Sequence, residues 1–371
     1  MQTDLNDQHL NLPLQAKKEL SYFEFWPAWL FYLPIYLYVG YLMIRYKSFL
    51  LPTAANPHLA DGAFCGDSKS EIFKMIDQYL PEFASPHLAI HCTKDKTAIA
   101  LNAQADRILE ISRINHIEYP FVLKPEYGCR GSGVCLIKTR KDLLAYLQLF
   151  PGGEKIIIHQ LIPYEHEAGV FYCRLPGQKT GQIISLTLKY FPTVCGDGIK
   201  TLQELIMANP RASRLKHLYF KRHEKSLHIV LKAGVHYPLV FAGNHSKGTI
   251  FKDGRHLITS KLENTFDTIS KRLPEFYFGR FDVRFKDFKS LEAGVDLKIV
   301  EINGASAEST HIWDSDYSLI RAYKDLFKQF DYLFKISANN TNRGFKTQSW
   351  RTFYKAYKHD KKLSTRYPGT H

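Results

Sequence analysis

Apolar and polar positions recur with different periods along this chain, and the least ordinary stretch lies near its beginning. Residues 25–44, FWPAWLFYLPIYLYVGYLMI, run for twenty positions without a charge, between Glu24 and the pair Arg45 and Lys47. As a helix rising ~1.5 Å per residue, that run has about the length of a bilayer's hydrocarbon core. Pro34 lies in its middle, Gly40 follows, and eight of the twenty residues are aromatic, which suits the headgroup interface better than the acyl centre. Three readings stay open: a span with Arg45 and Lys47 on the cytoplasmic side, a helix lying in the interface, or a buried aromatic helix of a soluble domain. No small-x-small pattern follows before Arg45, so a cleavable signal peptide is not expected.

Residues 51–118 read as a small α/β unit. LPTAANPHLADG is loop-like; Ile72, Ile76 and Leu80 recur at helical spacing behind Ser68 as N-cap; HLAIHC reads as a strand and TAIALNAQADRILEISRI as a helix. From Tyr119 strand-like runs alternate with helical ones: YPFVLKP, GVCLIK, the helix KDLLAYLQLF, then EKIIIHQLI, GVFYCRL, IISLTLKYF, the helix TLQELIMA, and later GRFDVRF and LKIVEING. The order predicts a mixed α/β (α+β) chain in four parts: 1–50 with the aromatic helix, 51–118, a main domain over 119–335, and a tail over 336–371. In that tail NNTNRG breaks the pattern, and from position 343 onward there are eight Lys or Arg and one acid, Asp360. Trp350, Phe353, Tyr354 and Tyr357 recur at i, i+3, i+4 and i+7, which sets an aromatic face beside a basic one on a helix. Such a helix either docks on the domain with its basic side in water or rests on a membrane or acidic partner.

Composition narrows this picture. With 45% hydrophobic and 23% charged residues among 371, wholesale disorder is excluded, and a formal charge of +14 calls for something acidic as partner. The basic excess forms no recognition element for nucleic acid, so nucleic acid is not expected. Cys65, Cys92, Cys129, Cys135, Cys173 and Cys195 show neither a Cys-x-x-Cys pair nor regular spacing, which fits a reducing compartment better than a zinc or disulfide framework. The histidines gathered between His217 and His256 have no convincing zinc spacing either, and surface or substrate-facing roles fit them better.

Two segments carry candidate chemistry. In YPFVLKPEYGCRGSGVCLI, a loop with Gly128, Gly131 and Gly133 lies between two strand-like runs, and Lys124 ends the first. Glycines let backbone amides approach phosphate oxygens, and a lysine adds compact positive charge. A strand follows the loop where a dinucleotide fold or P-loop needs a helix, so the element reads as a hairpin flap. No H-R-D-x-x-x-x-N or D-F-G run is present, which excludes the kinase template. In GRFDVRF and IVEING, Asp282 on one strand and Glu301 and Asn303 on the other project hard oxygen ligands of the kind that hold Mg²⁺. The alternative is structural, with Asp282 paired to Arg280 or Arg284 and Glu301 closing a strand.

Together the two segments resemble the ATP-grasp superfamily of carboxylate-amine ligases, related to D-alanine:D-alanine ligase, glutathione synthetase and the ATP-grasp part of cyanophycin synthetase, over about half the chain. The resemblance implies an ATP-grasp fold and assigns roles by position. Lys124 and the loop residues Gly128, Arg130, Gly131, Ser132 and Gly133 would face nucleotide phosphate. Gln160, Leu161 and Ile162 in IIIHQLIPYEHEAG would lie near the adenine edge and Glu167 near the ribose, although the family usually has an acid before the hydrophobic pair where this chain has His159 and Gln160. Lys189 in LTLKYF would reach the transferred phosphate, Arg280 would face the reacting centre, and Asp282, Glu301 and Asn303 would hold Mg²⁺ or Mn²⁺. VCGDGIKTLQELI and GNHSKG are similar to segments of the cyanophycin-type and glutathione-type ligases. The implied enzyme is a cytoplasmic, ADP-forming ligase that makes an amide or peptide C–N bond through an acyl phosphate, with an unidentified carboxylate and amine as substrates, attached or not to the inner face of an anionic membrane. Phosphoryl transfer to a hydroxyl, or nucleotide binding without turnover, are the competing readings.

Overall fold

The computed structural model describes residues 20–64, 68–128, 131–241 and 248–368. The α+β class and the N-terminal aromatic helix expected from the sequence are both present. That helix, α1 (Ala28–Arg45), is followed by α2 (Lys69–Tyr79), β1 (His87–His91) and α3 (Ala98–Ile114). Next come β2 (Phe121–Pro125), β3 (Cys135–Ile137), α4 (Arg140–Leu149) and β4 (Lys155–Gln160). The four strands form an antiparallel sheet in the order β1-β4-β2-β3, so a strand from the 51–118 segment completes the sheet that carries the glycine loop. Strand periodicity sorts its side chains. Phe121, Leu123, Ile156 and Ile158 pack with Leu101 and Ile108 of α3 and Leu143 and Leu147 of α4, while Val122, Lys124 and His159 turn to the opposite side.

The second sheet is built from β5 (His166–Cys173), β6 (Gln182–Tyr190), β9 (Ile250–Asp253), β10 (Phe278–Phe285) and β11 (Leu297–Asn303), in the order β11-β10-β5-β6-β9. One face is apolar: Val170, Leu186, Phe281 and Val283 pack on Leu262, Phe266 and Ile269 of α8 (Ser260–Arg272) and on Ile72 and Ile76 of α2. Each such side chain is worth roughly 1.5–3 kcal/mol when taken from water, so this face anchors the sheet. Register pairing puts Glu167, Lys189, Arg280, Asp282 and Arg284 together on the other face. The connection between β10 and β11 contains a short helix, α9 (Phe288–Ala293), capped by Asp287 and closed by left-handed Gly294.

Between β6 and β9 the chain forms a small satellite, with a β7 (Thr193–Cys195) and β8 (His236–Pro238) ribbon and helices α5 (Leu202–Ala208), α6 (Pro210–Arg214) and α7 (Lys216–Arg222). The Gly-Asp-Gly segment serves that unit: Asp197 Oδ1 accepts from the amides of Ile199 and Lys200, and Thr201 with Glu204 forms the capping box of α5. GNHSKG lies outside the described residues except for its last glycine.

Helix α10 (Leu319–Asn342) runs on through the NNTN stretch, past the break expected after Ile336, because Asn340 is buried and its amide donates to the carbonyls of Ala54 and Ala55. A buried relay from Ser185 through His311 to Asp325, at 2.7 and 2.9 Å, ties β6 to α10; His311 is fully enclosed, so the relay is structural. Helix α11 (Trp350–Ser364) closes the chain, and its Phe353 ring meets Phe64.

Candidate active site

The two polar sheet faces enclose one cavity of about 780 Å³. From the first sheet come Val122, Lys124 and His159, with the loop residues Gly128, Gly131 and Ser132 at the rim; from the second come Glu167, Lys189, Arg280, Asp282, Glu301 and Asn303. The sequence-predicted residues therefore converge, apart from Arg130, which lies outside the described residues, and Gly133, which closes the β2–β3 hairpin beside the cavity. Gly133 is required there: its φ is +70°, and a Cβ would stand 2.6 Å from Pro125 Cγ. The far side of the hairpin rests on the C-terminal segment. A Cβ on Gly128 would meet the Tyr367 ring at 3.3 Å, Tyr367 stacks on Phe150, and Tyr127 meets His359 edge to face.

Lys124 is buried, and its Nζ donates to His159 Nδ1 at 3.3 Å and to the Val300 carbonyl at 3.4 Å. That carbonyl is offered by a β-bulge, since Asp282 pairs with Glu301 and Val283 with Ile299, leaving Val300 unpaired in β11. Burial pushes the Lys124 ammonium down to about 8, only partly offset by the charge of Glu301. Burial likewise holds His159 well below its ordinary value, with Lys124 adding to the effect, so the imidazole is a neutral acceptor.

Lys189 stands between two carboxylates, 2.9 Å from Glu167 Oε1 and 3.1 Å from Asp282 Oδ1. Burial alone would lower its pKa, but the charges of Asp282 and Glu167 outweigh burial and raise it. Asp282 also accepts from Arg280 Nε at 2.8 Å and Nη2 at 3.2 Å, and Arg280 Nη1 donates to the Glu308 carbonyl at 3.0 Å. For Asp282 burial pulls upward, yet Arg280 and Lys189 prevail and hold the carboxyl below its usual range. The structural salt bridge weighed for Asp282 thus exists with Arg280, whereas Arg284 turns to Glu167 at 3.7 Å and to the Ile162 carbonyl at 3.0 Å. Gly169 makes room for the Arg280–Asp282 pair, since a Cβ there would lie 3.0 Å from Arg280 Cδ and 3.2 Å from Asp282 Oδ1.

As a donor set, Asp282, Glu301 and Asn303 fit Mg²⁺: two carboxylates and an amide oxygen on one face of paired strands. Asn303 Nδ2 lies 3.4 Å from Asp282 Oδ2, and Lys69 Nζ lies 3.7 Å from Glu301 Oε1. No group of three His, Cys, Asp or Glu side chains that could hold a metal forms among the described residues.

Sequence reasoning missed Lys69, which also donates to the Gly128 carbonyl at 2.8 Å. It arrives because Ser68 and Ser70 at the start of α2 donate to buried Glu126, just after β2. Nothing local distinguishes Lys69 from the solvent lysines of other helices. Also missed was the far end of the cavity, lined by Phe25, Trp26 and Tyr32 with Trp313 and Glu308. The signal was the aromatic run itself. Gln160 lines the cavity, but its Oε1 accepts from the Glu118 amide at 2.7 Å and so braces the entry to β2.

No family model and no curated protein matches this chain. Solved structures do resemble it. A bifunctional glutathione synthetase from Pasteurella multocida aligns with a TM-score of 0.35 and 14% identity over 71% of this chain, which spans 37% of that enzyme. A D-alanine-D-alanine ligase from Bacillus anthracis, complexed with ATP, aligns with a TM-score of 0.39 and 14% identity over 74% of this chain and 67% of that one. The VanG D-Ala:D-Ser ligase from Enterococcus faecalis gives 0.39 and 12% over 73% of this chain and 61% of that one. Glutathione synthetase and D-alanine-D-alanine ligase are among the enzymes named above for the resemblance of the sequence motifs.

Proposed function

We propose that this chain is an ATP-dependent, ADP-forming ligase joining a carboxylate to an amine. The observation that carries the reading is the single cavity face on which Lys189, Arg280, Asp282, Glu301 and Asn303 meet, opposite Lys124 and behind a glycine hairpin. A substrate carboxylate oxygen attacks the γ-phosphorus of ATP; the new O–P bond forms as the bond to ADP breaks. The amine nitrogen then attacks the acyl carbon, the tetrahedral intermediate expels phosphate with the C–O electron pair, and the amine gives up a proton. In this reading Lys124 and Lys189 neutralise charge on the transferred group, and Arg280, which is held by Asp282 and the Glu308 carbonyl, stabilises charge on the acyl oxygen. Mg²⁺ held by Asp282, Glu301 and Asn303 would supply further neutralisation of the phosphates. The hairpin excludes water from the acyl phosphate, which water would otherwise hydrolyse.

The test is release of ADP and phosphate across a panel of carboxylates and amines, with mass analysis of the product. An amide mass with equimolar ADP supports ligation; a phosphate ester would assign phosphoryl transfer to a hydroxyl instead. Undiminished turnover in the Glu301→Ala, Asn303→Ala double variant would overturn the metal assignment.

A further inference from the structure

Twelve of the twenty-two large hydrophobic side chains exposed among the described residues fall within 22–49 and 350–357. On α1 they form one face. Phe31, Ile35 and Leu42 are buried against α10 and its surroundings, while Trp29, Leu33, Tyr36, Leu37, Tyr41 and Ile44 point away from it, with Leu37 68% and Ile44 75% exposed. The helix is thus apolar on the side it buries and equally apolar on its other side, where nine of its eighteen residues are exposed.

Helix α11 presents a second row. Of its aromatic row, Phe353 packs on Phe64, whereas Trp350, Tyr354 and Tyr357 are exposed, and Arg351, Lys355, Lys358 and Lys362 form the adjoining exposed strip. The two rows adjoin through Phe49 and Trp350, whose ring centroids are 6.4 Å apart. Exposed Arg45 and Lys47 lie at the end of α1. Apolar and aromatic side chains bordered by cations on one connected surface match the chemistry of an anionic lipid interface.

The packing of α1 decides its orientation. Tyr38 Oη donates to Asp331 of α10 at 2.9 Å, Tyr32 Oη to Glu308 at 2.6 Å, and Tyr323 Oη of α10 to the Phe31 carbonyl at 3.1 Å. A helix crossing the bilayer while held this way would carry α10 in with it, with Lys324, Asp325, Lys328 and Asp331. We propose that the chain seats on an anionic bilayer surface through α1 and α11, with α1 lying in the plane of the interface. This claim rests on surfaces outside the cavity, and binding is measured without nucleotide, so its failure leaves the ligase reading untouched.

The experiment uses the full chain with phosphatidylcholine vesicles, pure or mixed with phosphatidylglycerol. Co-sedimentation is expected with the mixed vesicles and is expected to weaken as salt rises. Leu37→Glu with Ile44→Glu is expected to weaken partitioning about tenfold or more, as is Lys355→Glu with Lys358→Glu, whereas Ile99→Glu on α3, an equally exposed apolar site, retains it. Tryptophan fluorescence, with Trp29 and Trp350 the exposed emitters, is quenched more by lipids brominated near the headgroup than near the chain ends, and alkaline carbonate releases the protein from cell membranes. Absence of binding to either vesicle, binding unaffected by both double variants, or resistance to carbonate would each overturn the proposal. So would a dimer that Leu37→Glu dissociates while vesicles bind nothing, which would assign the face to a second copy.

Discussion

The buried ammonium of Lys124 should make nucleotide binding pH-dependent in a range where most lysine-dependent sites are flat. With its pKa pushed to about 8 by burial, Lys124 is about nine-tenths charged at pH 7 and about one-tenth charged at pH 9 in the free protein. A polyphosphate beside it restores the charged form, so binding takes up about 0.1 proton at pH 7 and about 0.9 proton at pH 9. The same equilibrium weakens MgATP binding about tenfold across those two units, close to 1.4 kcal/mol. The sign is that of a lysine whose pKa rises on binding: affinity is full below the free-state pKa and is lost above it. Calorimetric titration in two buffers of different ionisation enthalpy reads the proton uptake directly, and a Lys124→Met variant should bind weakly with no such uptake. Uptake near zero at pH 9 with an unchanged dissociation constant would refute the reasoning, because either the ammonium is charged throughout or the nucleotide does not reach it.

Two further outcomes follow from close contacts. Gly169→Ala places a methyl 3.0 Å from Arg280 Cδ and 3.2 Å from Asp282 Oδ1, so turnover should fall by roughly tenfold or more while the melting temperature changes little; normal kcat would show that the pair is not positioned for chemistry. Asn56 donates to the carbonyls of Phe278 and Gly62 and accepts from the amides of Tyr277 and Phe278, so Asn56→Ala should cost about 2–4 kcal/mol in urea unfolding, and a loss under 1 kcal/mol would mean that water replaces the amide.

The cavity face was readable in the chain because strand periodicity is local. Arg280, Asp282 and Arg284 alternate with Phe281, Val283 and Phe285, and that alternation alone puts three polar groups on one side of β10. Glu301 and Asn303 follow by the same rule, once β11 is read as its partner. What escaped were contacts between distant segments: Lys69 brought to Glu301 by the docking of α2 on Glu126, and the tie from Asn340 to Ala54 and Ala55 that carries α10 through polar NNTN. The Gly-Asp-Gly segment, for which the sequence offered a resemblance but no role, has its Asp197 engaged in starting a helix outside the cavity. Apolar periodicity also cannot tell a face that docks from one left bare, which is why the tail helix with its aromatic row admitted two readings.

Tyr367 packs against the glycine hairpin, its ring beside Gly128 and its Cβ beside Gly133. Residues that read as a basic tail are therefore part of the wall behind the glycine loop. Removing them would replace an aromatic surface with water behind a hairpin whose own glycines supply no side chain to fill the gap. A truncation after α11 that altered ATP affinity with folding intact would then report the loss of a wall, and a bulky fusion joined there would press on the same spot from outside.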